Sequence, residues 1–115
     1  MNVRVRDIND LDRVVHEPAR LMIVTILSVV EAADFVYLLH ETALNKGTLS
    51  SHLARLEEAG YVEIKKTFRG KVPRTLLRLT KPGRQAFEEY RKKLRGVLSE
   101  GSPLKRGIVR LSEGE

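Results

Sequence analysis

The sequence predicts a mainly helical α+β domain in which helices precede and follow one β-hairpin. Three observations carry this. Apolar residues recur at helical spacing up to Ala59, the period drops to two after Gly60, and helical spacing returns after Thr80. The chain has 115 residues, which is length for one domain with one modest core.

Taken in order, Asn9 or Asp10 is placed to cap a short helix through Leu11, Val14 and Val15. A longer helix opens at Pro18, tolerated in a first turn because its missing N–H has no helical partner there. It reads from Ala19 through Ala32. Leu21, Met22, Ile23, Val24, Ile26, Leu27, Val29 and Val30 cover most of its circumference, leaving Arg20, Thr25, Ser28 and Glu31 as a narrow polar edge. Such a helix is expected to be buried on two sides. Asp34 caps a second helix through Phe35, Val36, Leu38, Leu39 and Thr42. Ala43-Leu44-Asn45 makes a short turn, and Asn45 caps a third helix from Lys46 to Ala59, stopped by Gly60. Leu49, Leu53 and Leu56 fall at i, i+4 and i+7, a single core-facing stripe.

Beyond Gly60, Val62 and Ile64 alternate with Tyr61, Glu63 and Lys65, and Thr75, Leu77 and Leu79 alternate with Leu76 and Arg78. Phe68-Arg69-Gly70-Lys71-Val72-Pro73 between them reads as a longish basic hairpin tip. Thr80 caps the last helix, with Pro82 in its first turn and Ala86, Phe87, Tyr90, Leu94, Val97 and Leu98 on one face. Residues 1–98 therefore form one domain, and residues 99–115 a tail that is flexible or docked.

Charge and composition narrow the function. Lys and Arg number 21 against 15 Asp and Glu, a net +6. Residues 1–45 carry a net −3, residues 46–78 a net +5 and residues 79–115 a net +4, so the cationic surface begins at Lys46. An anionic partner is expected. The absence of cysteine excludes disulfides, thiolate nucleophiles and thiolate-held metal. His16, His40 and His52 form no i, i+4 metal pair, and His16 and His40 read as structural. The polar N-terminal region shows no signal peptide, and no apolar run approaches the ~18 residues of a membrane span. The expectation is a cytoplasmic protein without metal, cofactor or membrane contact. No nucleophile–base pair, phosphate loop or dinucleotide fingerprint suggests an enzyme.

Two helices joined by a three-residue turn, then a basic hairpin, then a C-terminal helix is the order of a winged helix-turn-helix. With its leucines inside, the third helix turns Gly47, Thr48, Ser51, Ala54, Arg55 and Glu58 outward, with Lys46, Ser50 and His52 on the flanks. Small residues at 47, 51 and 54 let it approach base edges in a major groove, where Thr, Ser and Arg hydrogen-bond. Lys46 and the first-turn N–H groups suit a phosphate. Arg69, Lys71 and Arg74 at the hairpin tip, with Lys65 and Lys66 along the strand, are placed for the adjacent backbone or minor groove. A winged helix used for protein interaction is the competing class. It tends to expose large apolar groups on the third helix, whereas this one exposes Thr, Ser, Ala and Arg.

Thr48-Leu49-Ser50-Ser51-His52-Leu53-Ala54-Arg55-Leu56-Glu57-Glu58-Ala59-Gly60-Tyr61-Val62 resembles the recognition helix of winged-helix regulators of the ArsR/MarR type. Pro73-Arg74-Thr75 and Leu79-Thr80-Lys81-Pro82-Gly83-Arg84 are similar to their wing and strand-to-helix turn. His16-Glu17-Pro18-Ala19-Arg20-Leu21 is similar to the opening of the first long helix in the small MarR-like subgroup. The resemblance spans roughly residues 10–95 and implies a homodimeric transcriptional regulator on a pseudo-palindromic DNA operator. It further implies DNA contacts from Ser50, Ser51 and His52, and from Arg69 or Arg74. The cysteine boxes of metal-sensing relatives are absent, and there is little room for long dimerisation helices. No small-molecule effector is named by these residues. Self-pairing is expected through the Pro18–Ala32 helix and through Phe87, Tyr90, Leu94, Val97 and Leu98.

Overall fold

The computed structural model describes residues 3–99 together with Gly107, Val109 and Leu111. The expectation for the 99–115 tail therefore falls almost wholly outside the described residues. A 3-10 helix at Val5–Asp10 leads into α1 (Pro18–Ser28), β1 (Ala33–Asp34), α2 (Phe35–Thr42), α3 (Lys46–Glu58), β2 (Val62–Arg69), β3 (Val72–Leu79) and α4 (Lys81–Leu98). This is a winged helix-turn-helix fold, mainly helical, with a small antiparallel sheet in the order β1-β3-β2.

The helix starts obey local chemistry. Glu17, Asp34, Asn45 and Thr80 each accept a hydrogen bond from a first-turn backbone N–H of the helix that follows. Ala43 joins α2 to α3 in the left-handed region at φ 57°, an uncommon conformation for a residue with a Cβ. Gly60 takes φ 81° after α3, and there Gly60 N–H donates to Glu57 O and Tyr61 N–H to Leu56 O, which closes the helix end.

Three sequence expectations are corrected, and one strand is added. No helix runs through Leu11–Val15. The Asp12 carboxylate accepts from the N–H groups of both Val14 and Val15, so a side chain takes donors that a helix would need. The long helix ends at Ser28 rather than Ala32. Arg84 from α4 donates to the carbonyls of Ser28 and Val30, and the chain beyond turns to form β1. β1, which pairs Ala33 with Leu77 and Asp34 with Leu76, was not anticipated. The hairpin tip is only Gly70-Lys71, because pairing continues out to Phe68↔Pro73 and Arg69↔Val72. Positive φ at Gly70 alone of these two matches the tight turn that has glycine first. Proline is tolerated at 73 because β1 covers the outer edge of β3 only at Leu76 and Leu77.

Leu49, Leu53 and Leu56 of α3 are buried with Ile23, Val24 and Leu27 of α1, Leu38 of α2, and Val62, Leu77 and Leu79 of the sheet. Much of the apolar area assigned to self-pairing is covered within the chain. Phe87, Tyr90 and Val97 are buried, because the 3-10 helix and the segment after it pack along α4. His16 Nδ1 meets the Tyr90 hydroxyl at 2.8 Å, and Lys93 donates to the carbonyl of Asp10. Val29 and Leu98 do remain on the surface, at 82% and 71% exposed. Among the described residues no helix is long and apolar enough to cross a membrane.

Candidate nucleic-acid interface

The surface of α3 follows from its core. Complete burial of Leu49 and Leu56 rotates Lys46, Gly47, Ser50, Ser51, Ala54, Arg55 and Glu58 into solvent and leaves Thr48 half-buried. Among the described residues Arg55 is tethered only to Glu58, 3.7 Å away and one turn on, with both side chains at least half exposed. Such a pair is worth about 0.2–1 kcal/mol, so the guanidinium is readily redirected to another acceptor. His52 is different. Its Nδ1 lies 3.1 Å from Arg20 Nη1 and 3.9 Å from Glu17 Oε1. A guanidinium only donates, so Nδ1 is the acceptor in that contact. Arg20 itself is anchored by donation to the carbonyls of Val14 and Arg13. Its partner Arg20 and the neighbouring Glu17 lie 32 and 35 positions away, and no local sequence signal connects them to it.

The ladder between β2 and β3 sorts the wing residues onto two faces. Glu63, Lys65, Thr67 and Arg69 face the same way as Arg78, Leu76, Arg74 and Val72. Val62, Ile64, Lys66 and Phe68 share the other face with Leu79, Leu77, Thr75 and Pro73. Lys65 and Arg69 are thus brought onto one face with Arg74, while Lys71 sits in the turn. From Lys65 to Arg74 the ribbon holds Lys65, Lys66, Arg69, Lys71 and Arg74 and no carboxylate. Lys65, Lys66, Arg69 and Lys71 are exposed. Arg74 is held back: its Nε lies 3.6 Å from Asp34 Oδ2 and, although buried, has no hydrogen-bond partner. Sequence reading identified Asp34 only as the α2 cap. Its second role, as counter-ion to a wing arginine, spans 40 positions and is created by the β1–β3 pairing.

Four carboxylates gather away from this surface. A cleft of about 690 Å³ between the N-terminal segment and α4 is lined in part by Asp7, Asp10, Asp12, Glu89, Lys92 and Lys93, with no candidate DNA-binding residue among its walls. The Tyr61 hydroxyl donates to Asp12 there, and this bond, with burial and the charges of Asp12 and Glu89, pushes its pKa up to about 12. Burial raises the pKa of Tyr90 as well. Both hydroxyls stay protonated near neutral pH, which suits structural hydrogen bonding. Among the described residues no cluster of three His, Asp or Glu side chains is arranged to hold a metal ion.

A leucine-anchored helix with a small polar outer face, packed on a cationic two-stranded wing, is the arrangement of a winged helix that binds DNA. Residues 19–98 match the family of the winged helix DNA-binding domain, and the chain belongs to that family. An uncharacterized protein of Methanocaldococcus jannaschii is 37% identical over 79 residues, which cover 68% of this chain and 85% of that protein. The structure of a transcriptional regulator homologue from Pyrococcus horikoshii OT3 is similar with a TM-score of 0.76 and 25% identity, covering 82% of this chain and 95% of that one. NadR in complex with 4-hydroxyphenylacetate shares the fold with a TM-score of 0.64 and 24% identity, over 83% of this chain and 65% of that chain. A MarR-family regulator from Silicibacter pomeroyi shares it with a TM-score of 0.57 and 19% identity, over 90% of this chain and 65% of that chain.

Proposed function

We propose that this chain is a sequence-specific transcriptional regulator that binds duplex DNA as a homodimer. In this reading α3 enters the major groove. Ser50, Ser51 and Arg55 face base edges, Thr48 and His52 lie at the rim, and Lys46 with the first helical turn takes a phosphate. Lys65, Arg69 and Lys71 of the wing follow the neighbouring backbone or minor groove, and Arg74 joins them on leaving Asp34. The observation that carries the reading is the outer face of α3, where Ser50, Ser51, Ala54 and Arg55 are all exposed while its leucines are sealed in the core. The regulator relative from Pyrococcus horikoshii supports the same class.

Dimerisation is supported by exposed Val29 and Leu98. It also gives the reading reach, because two related helices meet half-sites about one turn, roughly 34 Å, apart. The test is anisotropy titration of a duplex selected by the native protein from a random-sequence pool. Arg55→Ala is expected to weaken specific binding by about 1–3 kcal/mol. If Arg55→Ala and Ser51→Ala both leave affinity unchanged, α3 is not the reader. Sedimentation equilibrium tests the dimer: Val29→Glu or Leu98→Glu is expected to yield folded monomer with weakened specific binding. A native protein that is monomeric with and without DNA would refute it.

A further inference from the structure

The fold makes no use of the aromatic ring nearest the wing tip. Phe68 is 69% exposed, although a phenylalanine side chain ordinarily buries a large apolar area. It sits on the ribbon face that carries Val62 and Ile64 into the core, but at the far end, beyond the last packed pair. The ring is not on a loose loop. Phe68 is paired with Pro73, Arg69 with Val72, and only Gly70-Lys71 lies outside the ladder. Proline opposite it restricts the backbone further.

Its surroundings select the partner. On its own face the ring has Lys66 at the neighbouring position and Pro73 opposite, Lys71 sits in the adjoining turn, Lys65, Arg69 and Arg74 lie on the reverse face, and no acidic residue occurs from Lys65 to Arg74. The apolar core of a protein interface is depleted in charge and a poor match for a single exposed ring at the tip of a ribbon whose two faces and turn all carry cations. A DNA minor groove supplies both halves of the match, a negative potential for the cations and stacked bases for the ring. Proteins that bend DNA from that groove insert an apolar side chain between adjacent base pairs, flanked by Arg or Lys.

We infer that Phe68 is a wedge: the wing tip enters the minor groove and the ring inserts between two base pairs, kinking the duplex. Pyrimidine–purine steps unstack most readily, so the wedge adds a preference for such a step, one that needs no hydrogen bond to a base. The inference rests on the reading of the chain as a duplex-DNA binder and assigns the wing a part in shape recognition beyond phosphate contact.

The test uses the full chain and a duplex selected by the native protein, with 2-aminopurine placed in turn at each step flanking the α3 site. Native protein is expected to raise the fluorescence at one step and to shorten the end-to-end distance measured by energy transfer. Phe68→Ser is expected to abolish both signals and to weaken binding about tenfold, within the range of one aromatic–base contact. The slope of log K against log salt stays unchanged, because no phosphate contact is lost. Phe68→Leu, still an apolar wedge, is expected to keep most of both signals. An unchanged thermal midpoint for Phe68→Ser confirms that an exposed site was altered without loss of fold. Tight binding with no fluorescence rise at any step, or a Phe68→Ser complex bent like the native one, overturns the wedge. A change in sedimentation on Phe68→Ser assigns the ring to a protein contact and overturns it as well. Failure of the native protein to bind any duplex in a salt-sensitive way is a distinct result that overturns the DNA reading itself.

Discussion

Replacing Asp34 by Asn should tighten DNA binding, although Asp34 is among neither the α3 nor the wing contacts. The carboxylate has two roles carried by different atoms. Oδ1 accepts from Tyr37 N–H at 2.8 Å and caps α2, while Oδ2 lies 3.6 Å from Arg74 Nε. Asparagine caps a helix about as well as aspartate, so Asp34→Asn keeps the first role and removes the charge of the second. At 3.6 Å, Coulomb's law gives about 1 kcal/mol in a water-like dielectric. The side chains are 39% and 28% exposed, which places the pair among those measured at about 0.2–1 kcal/mol. Freeing Arg74 from that restraint corresponds to a gain of about two- to fivefold in affinity at moderate salt, taking about 0.5–1 kcal/mol. If the freed guanidinium meets a phosphate, the slope of log K against log salt steepens by about 0.9. Removing any negative charge near DNA also helps binding at long range, so the control is Asp34→Asn in an Arg74→Gln background, read as a double-mutant cycle by fluorescence anisotropy. The gain should disappear there. An equal gain in both backgrounds, or none in the first, refutes the view that Asp34 restrains a wing arginine.

Three further outcomes follow from the same geometry. Gly83→Ala should destabilise the fold by about 1–3 kcal/mol in urea titrations despite the better helix propensity of alanine, because the added Cβ falls 2.2 Å from the Tyr61 carbonyl oxygen. Lys71→Gln should lower the salt slope by about 1 and weaken all duplexes alike; a changed sequence preference with the native slope would contradict a phosphate contact. The Tyr61 pKa is raised from 10.0 to about 12 in the fold, so the bond to Asp12 contributes its full stability below pH 10 and loses it as the pH rises to about 12. The urea midpoint of the native protein minus that of Tyr61→Phe should therefore fall across that window, and a flat difference would show that the hydroxyl is not held by Asp12.

The elements that sequence alone determined are those whose information is local. The caps at Asp34, Asn45 and Thr80 act within one turn of themselves, and the leucine stripe at 49, 53 and 56 sets the rotation of α3 through helical spacing. That rotation in turn decided which side chains α3 shows to a groove. The features that only the tertiary structure decided all join distant segments. β1 is two residues long, too short to display a period of two, and exists because β3 offers it an edge. The wing lost its long tip for a related reason: Pro73 reads as a turn residue in isolation, yet it is accommodated in a strand whose outer edge is unpaired at that point. His52 looks like a flank residue on a wheel but accepts a hydrogen bond from Arg20, and Arg74 looks like a free wing cation but is paired with Asp34. The apolar face of α4, which suggests a partner when read along the chain, is largely occupied by the N-terminal segment of the same molecule. Periodicity states that a face needs covering. Which surface covers it depends on loop closure and competition between segments far apart in the chain, and folding resolves both only when the whole core forms.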